Sequence, residues 1–192
     1  EADVIDMIFD ETQFTNTAAA TAAWNAASGV NIEADIDAAK LSVLKKGGVQ
    51  ANIIVIPPAI AIAAKKNSSI RDLVKYTDPT LLVNGDLPPK LFGLEVIIPT
   101  RLNNEAGAGV ATASMDFLAD DLDVFVGYVE KTSSMRSISA GYTFRRPLNG
   151  QPIAVFRYRV DGKHGWYVEV AVEQVLKIVS VGCGYVITAA YS

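Results

Sequence analysis

The stretch "GGVQANIIVIPPAIAIAAKK", Gly47 to Lys66, constrains the fold more than any other part of the sequence. "NIIVI" is short, β-branched and bounded by turn residues, which reads as a buried strand. Pro57-Pro58 follows at once, and Ala59 to Lys66 has the composition of a helix. Proline is tolerated in a first helical turn because the N–H groups there lack intrahelical partners in any case. A strand therefore feeds straight into a helix. Many nucleotide-binding proteins make that turn with glycines, so that backbone amides close around phosphate. Two prolines supply no amide at those positions. A turn without those amides is not built to hold a phosphate.

The segment before it is the clearest helix. Asn31 suits an N-cap, Ile32, Ile36, Ala39 and Val43 form one stripe, and Lys45-Lys46 before Gly47-Gly48 closes the end. Further upstream, Glu1 to Asp10 alternates acidic and apolar residues and fits the end of a strand or a helix. "TQFTNTAAATAAWNAASG" has no clear period and reads as extended or loop. Downstream, Ser69 and Asp72 resemble a capping box for a short helix to about Tyr76. Asp86 caps a third helix over "LPPKLF", stopped by Gly93. "LEVIIP" is a strand, and "TRLNNEAGAGVATAS" is a loop of small residues.

From Asp123 onward the pattern is β. "VFVGYV" is apolar on both faces, as in a central strand. Ile138, Ala140, Tyr142 and Phe144 alternate with Ser137, Ser139, Gly141 and Thr143, a half-buried strand. "RRPLNGQP" is a turn-rich loop. Ala154, Phe156, Tyr158 and Val160 then line one inward face, and Trp166, Val168, Val170 and Val172 another, joined through "DGKHG" as a hairpin. Paired residues share a face, so two even-numbered apolar sets require a loop of odd length. A five-residue loop, Asp161 to Gly165, places Arg157 opposite Glu169; a three-residue loop makes them diagonal neighbours. "LKIVSVGCGYVITA" is a last strand.

The chain of 192 residues is half hydrophobic, enough for one domain or two small lobes. No apolar run approaches the roughly 20 residues of a membrane helix, and no segment resembles a signal peptide. Glu1 in place of Met reads as processing, engineering or truncation. Net charge is −4, without the basic stripe and interleaved aromatics of a nucleic-acid reader. The single cysteine, Cys183, is a small buried hydrophobe in its strand context, and the single histidine, His164, falls in the hairpin turn. One of each, distant in sequence, forms no recognisable zinc spacing. "GAGVAT", Gly107 to Thr112, lacks the third glycine of a dinucleotide fingerprint, and there is no P-loop. Asp120, Asp121 and Asp123 lack the spacing and glycine of a calcium loop and read as a solvated strand entry. Ser133-Ser134 has no nucleophile-elbow flanks. No catalytic or cofactor-binding residue is assigned.

The order of the pieces carries more information. Trp24, the helix Ile32 to Lys46, Gly48, the strand Ala51 to Ile56, the helix Pro58 to Lys66, Ile70 to Tyr76 and "LPPKLFGLEV" resemble the major capsid proteins of tailed bacteriophages, the Hong Kong 97-like fold. "VFVGYV", the aromatic-rich hairpin and "KIVSVGCGYVI" fit the same pattern, so the resemblance covers roughly Phe14 to Ile187. It implies an α+β fold with peripheral and axial lobes, mixed and antiparallel sheets and a spine helix. Residues 1–23 are then a remnant of the extended loop or N-terminal segment. Residues 24–50 and 131–174 form the peripheral lobe, and 51–130 with 175–192 the axial lobe.

The resemblance further implies a structural coat protein, not an enzyme, that assembles as hexamers and pentamers into an icosahedral shell around double-stranded DNA. Scaffolding, portal or decoration proteins are its partners, no cofactor or membrane is involved, and the location is the virion after assembly in the bacterial cytoplasm. An acidic chain suits such a container, because an inner wall that gripped DNA would hinder packaging and release. The family's N-terminal arm and most of its extended loop have no counterpart here. A chain without them is expected to fold but to stay monomeric or form small, weak oligomers, and no lysine–asparagine crosslink is assigned. Arg145, Arg146 and Asn149, beside the loop "RRPLNGQP", are the candidates for contact between subunits. An encapsulin-type nanocompartment shell of the same fold, or an unrelated α+β enzyme or ligand-binding domain, are the alternatives.

Overall fold

The computed structural model describes residues 2–10, 12–14, 16–26, 28–77, 87–104, 106–107, 109–119, 122–132, 134, 136–148, 150–160, 162 and 165–192. They form a mixed α+β structure that divides into two compact units, residues 1–140 with 179–192, and residues 141–178.

The chain opens with helix α1 (Ala2–Phe9), which resolves the ambiguity of its alternating pattern. Ile5 and Phe9, one turn apart, are buried, while Asp3 and Asp6 face solvent. Strand β1 (Thr17–Ala19) follows, then α2 (Ile32–Gly47). The caps of α2 are those the sequence indicates. Asn31 Oδ1 accepts the Ala34 N–H at 3.2 Å, and Gly48, at φ 69°, donates its N–H to the Leu44 carbonyl at 3.1 Å. Ile32, Ile36, Ala39 and Val43 are all buried in the core.

Strand β2 (Ile53–Val55) leads through Pro57-Pro58 into α3 (Pro58–Lys66), then α4 (Ser68–Thr77). β3 (Lys90–Leu91) and β4 (Leu94–Ile97) return the chain to the sheet, where β4 lies parallel to β2. Parallel neighbours need a crossover connection. The proline turn is the start of that crossover, with Pro58 as the first helical residue and Ile60, Ala61 and Ala64 buried.

Two expectations fail here. Asn67, not Ser69, caps α4, its Oδ1 accepting the Ser69 N–H at 3.0 Å. "LPPKLF" is no helix: Lys90-Leu91 pairs antiparallel with Leu94-Glu95 around a two-residue turn, Phe92 at φ 48° and Gly93 at φ 84°. Positive φ at both turn positions matches the twist of the flanking strands, and a residue before proline is disfavoured in the α region. Asp86 lies outside the described residues.

The stretch assigned to a loop after β4 contains β5 (Leu102–Asn104), which pairs antiparallel with β6 (Met115–Phe117). The Asn104 carboxamide oxygen ties the connection by accepting the N–H groups of Ala106 and Ser114, each at 3.1 Å. β7 (Val124–Gly127) is buried throughout and central, as its pattern indicates.

The last strand of the sequence reading is in fact two. β11 (Glu173–Ile178) belongs to the second unit, and a 3-10 turn at Val181–Cys183 separates it from β12 (Gly184–Thr188) in the first. The main sheet has the order β1-β12-β7-β2-β4-β3, parallel at β1–β12 and β2–β4 and antiparallel elsewhere. α2 packs on β12, β7 and the 3-10 turn.

That last contact depends on glycine. A Cβ at Gly182 would lie 2.8 Å from the Lys46 carbonyl oxygen, and one at Gly47 would lie 2.9 Å from that of Gly182. Asp35, buried on α2, accepts the Thr21 N–H at 3.0 Å, the Thr21 hydroxyl, and the Trp24 indole N–H at 3.2 Å. It thereby pins the segment before the helix onto the core, with Trp24 only 2% exposed.

The second unit is a pair of two-stranded ribbons. β8 (Gly141–Arg146) pairs with β11, and β9 (Ala154–Val160) pairs with β10 (Gly165–Ala171). The chain runs out along β8 and β9 and back along β10 and β11. Residues 147–153 interrupt the outgoing arm, against Val172 alone on the return.

Candidate interaction surface

The register of β9 and β10 differs from the expected one. Val160 pairs with Gly165 around residues 161–164, an even loop, so Arg157 stands opposite Val168 and Phe156 opposite Glu169. The two even-numbered apolar sets therefore fall on opposite faces. One face carries Phe156, Tyr158, Tyr167 and Glu169; the other carries Val155, Arg157, Arg159, Trp166, Val168 and Val170. His164 lies outside the described residues.

Neither face is sealed. Trp166 is 59% exposed, Val155, Val168 and Val170 each exceed 60%, and Tyr158 is exposed as well. The inward packing expected of Trp166, Phe156 and Tyr158 is not found, and the half-buried strand expected at 138–144 exposes Ile138 and Phe144. What holds the ribbon is cross-strand contact. Tyr158 and Tyr167 stack at 6.0 Å, and the Arg157 guanidinium sits 4.6 Å above the Trp166 ring.

Arg145 and Arg146 lie in β8 rather than in a loop, opposite Gln174 and Glu173. Strand alternation sends them to opposite faces, so the structure does not bring them together. Arg146 Nη1 and Glu173 Oε2 are 3.5 Å apart and exposed, a pair that contributes about 0–1 kcal/mol. Leu148 and Gln151 exchange both backbone hydrogen bonds around a turn with Gly150 at φ 75°. Asn149, between them in sequence, lies outside the described residues.

The two units differ in charge. Residues 141–178 hold six Lys/Arg against three Asp/Glu, net +3, and the remaining residues hold eleven against eighteen, net −7. The difference runs along the sequence and coincides with the division into units. A count over residues 141–178 alone exposes it, and with it Arg157, expected only as the partner of Glu169, and Arg159, to which the sequence pattern assigned nothing.

Ionisable groups in the first unit serve structure. Asp10 accepts from the Thr12 hydroxyl, the Gln13 side chain and the Thr12 N–H, which lowers its pKa. The Tyr128 hydroxyl does the same for Glu130. Burial, followed by the Asp35 carboxylate, pushes Tyr185 up. Asp123 Oδ1 accepts the Ala189 N–H at 3.0 Å, while Asp120, Asp121 and Ser133 lie outside the described residues. Cys183 is fully buried, as expected, with its thiol 3.2 Å from the Ser180 hydroxyl. An open cleft of about 460 Å³ lies against Trp24, Val30, Ile62, Lys66 and Tyr191. Among the described residues, no group of three or more His, Cys, Asp or Glu is arranged to hold a metal ion, and no helix is long and apolar enough to cross a membrane.

A family model described as phage capsid protein matches residues 1–171. The chain belongs to the phage capsid protein family. The structure of a phage-related protein from Bordetella bronchiseptica RB50 shares its fold, with a TM-score of 0.75 at 20% identity over 98% of this chain and 62% of that one. A chain from Mycobacterium phage Che8 is similar at a TM-score of 0.59 and 14% identity, over 100% of this chain and 58% of its own length. This phage capsid protein thus spans about three-fifths of the solved structures it matches. No curated protein sequence matches it.

Proposed function

We propose that this chain is the major capsid protein of a tailed phage or prophage, with a Hong Kong 97-like fold, and that it builds an icosahedral shell around double-stranded DNA. The observation that carries this reading is the family match over residues 1–171, supported by a likeness of fold that runs along nearly the whole chain. The role is structural and non-enzymatic. Hexamers and pentamers are the assembly units, with scaffolding, portal or decoration proteins as further partners, assembled in the bacterial cytoplasm and located in the virion.

In this reading α2 is the spine helix, residues 24–50 with 131–174 are the peripheral lobe, and 51–130 with 175–192 the axial lobe. The compact units are drawn differently, with α2 on the body that holds the main sheet. Arg145, Arg146 and Asn149 belong to the region that meets neighbouring subunits.

Negative-stain microscopy of the natural full-length product tests the function: closed, uniform particles are expected, and dispersed monomers under all assembly conditions overturn it. In that product Arg145→Glu with Arg146→Glu should block shell closure while the subunit stays folded. Normal particles from the double variant remove those arginines from the interface.

A further inference from the structure

We infer that the basic ribbon of residues 141–178 docks on the acidic first unit of a second copy of this chain, through the face that carries Val155, Arg157, Arg159, Trp166, Val168 and Val170. This rests on the capsid reading and names a surface that reading leaves open.

Three observations converge. The face exposes Trp166 and the β-branched Val155, Val168 and Val170, and an isolated two-stranded ribbon is marginal in water at best. Large apolar side chains gathered and exposed on one face mark an interaction site. The second observation is charge: the ribbon is net +3 and the rest of the chain is net −7, so each copy offers both halves of a complementary pair. The third is chemistry. Phosphate neutralisation needs cations alone, whereas three valines more than 60% exposed gain free energy only against another apolar surface. A second copy supplies acid and apolar contact together; a nucleic acid supplies only the first. Contact between different patches on identical chains is heterologous and generates rings or open arrays, which is what tiling requires.

The test is sedimentation velocity of the chain of residues 1–192 over a concentration series, at about 0.01 M and about 1 M salt, where the screening length falls from about 30 to about 3 Å. Weak association at low salt that weakens at high salt is expected. Arg157→Glu with Arg159→Glu, and separately Val168→Ser with Val170→Ser, should each weaken it roughly tenfold, with an unchanged near-ultraviolet circular dichroism spectrum confirming the first unit. Wild-type protein that stays monomeric at low salt, or association untouched by both variants, overturns the inference. So does a random-sequence DNA duplex whose binding is lost in the arginine variant while self-association persists; that result assigns the ribbon to nucleic acid. The two readings fail separately. Normal shells from a full-length arginine variant remove this contact and leave the capsid function standing, whereas absence of shells from the wild-type product removes the function itself.

Discussion

The two tryptophans sit in opposite kinds of structure. Trp24 is 2% exposed, packed in the core of the first unit with its indole N–H donating to buried Asp35. Trp166 is 59% exposed on a two-stranded ribbon, with an arginine over its ring. The first unit closes a six-stranded sheet under a capped helix and buries its apolar stripe within the chain. The second turns equally apolar side chains to solvent. Composition alone would call both hydrophobic; what separates them is whether a further layer of the same chain lies on top.

The largest test of that contrast is a matched pair of truncations. Trp24→Ala should cost about 3–5 kcal/mol, as emptying a buried aromatic site does, with the loss of a hydrogen bond to a buried carboxylate added. Trp166→Ala should cost under about 1 kcal/mol, because an exposed surface site has little to lose. Urea midpoints at constant slope measure both. Equal costs, or a larger one for Trp166, would mean that the ribbon is as firmly packed as the sheet. Iodide quenching gives an independent reading, expected to reach Trp166 and spare Trp24.

A smaller effect is expected where α2 crosses the 3-10 turn. Gly182→Ala places a methyl 2.8 Å from a backbone oxygen that cannot rotate away, and should destabilise by about 1–3 kcal/mol. Gly150→Ala in the ribbon meets no neighbour within 4 Å and loses only the preference for its positive φ. Thermal unfolding of the two variants compares steric closeness with backbone strain. A Gly150 variant that loses more than the Gly182 variant would reverse the ranking of the two regions.

The smallest effect is titration. Tyr185 has its pKa raised by burial and by Asp35, so the folded state resists ionisation more than the unfolded chain does. Stability from this group is complete below the unfolded value of about 10 and declines as pH rises through the higher folded value. Denaturant midpoints should therefore hold to about pH 9 and fall beyond it, and Tyr185→Phe should flatten that fall. A decline of the same size in the Phe variant would assign the effect elsewhere.

Much of the first unit was legible from sequence because its signals are local. Asn31, the stripe from Ile32 to Val43, and Gly48 specify a helix within one segment, and "NIIVIPP" specifies a strand end and a helix start. The misreadings are equally physical. "LPPKLF" reads as a helix between a cap at Asp86 and a stop at Gly93, but Phe92-Gly93 form a turn and Lys90-Leu91 pairs with the adjacent strand. The register of β9 against β10 failed because parity was inferred from a core face that does not exist: with both faces open, no burial term selects an odd loop over an even one. Arg145 and Arg146 are adjacent in sequence and were read as a pair, but alternation along β8 separates them. Asp35 went unnoticed because a buried carboxylate on a helix is visible only through its partners, Thr21 and Trp24.

The sequence by itself determined α2 and its caps, the start of α3, the buried central strand, the proline turn and the capsid-like order of the pieces, since each depends on residues within a turn or two of one another or on their linear order. Only the tertiary structure decided that the proline turn begins a crossover between parallel strands, that "LKIVSVGCGYVITA" is cut between two units, and that the basic segment 141–178 is an open ribbon while the acidic remainder closes into a core. Those outcomes depend on which distant segments share a layer. Burial is a property of such layers, so a pattern of apolar residues states that a face will be covered without stating by what.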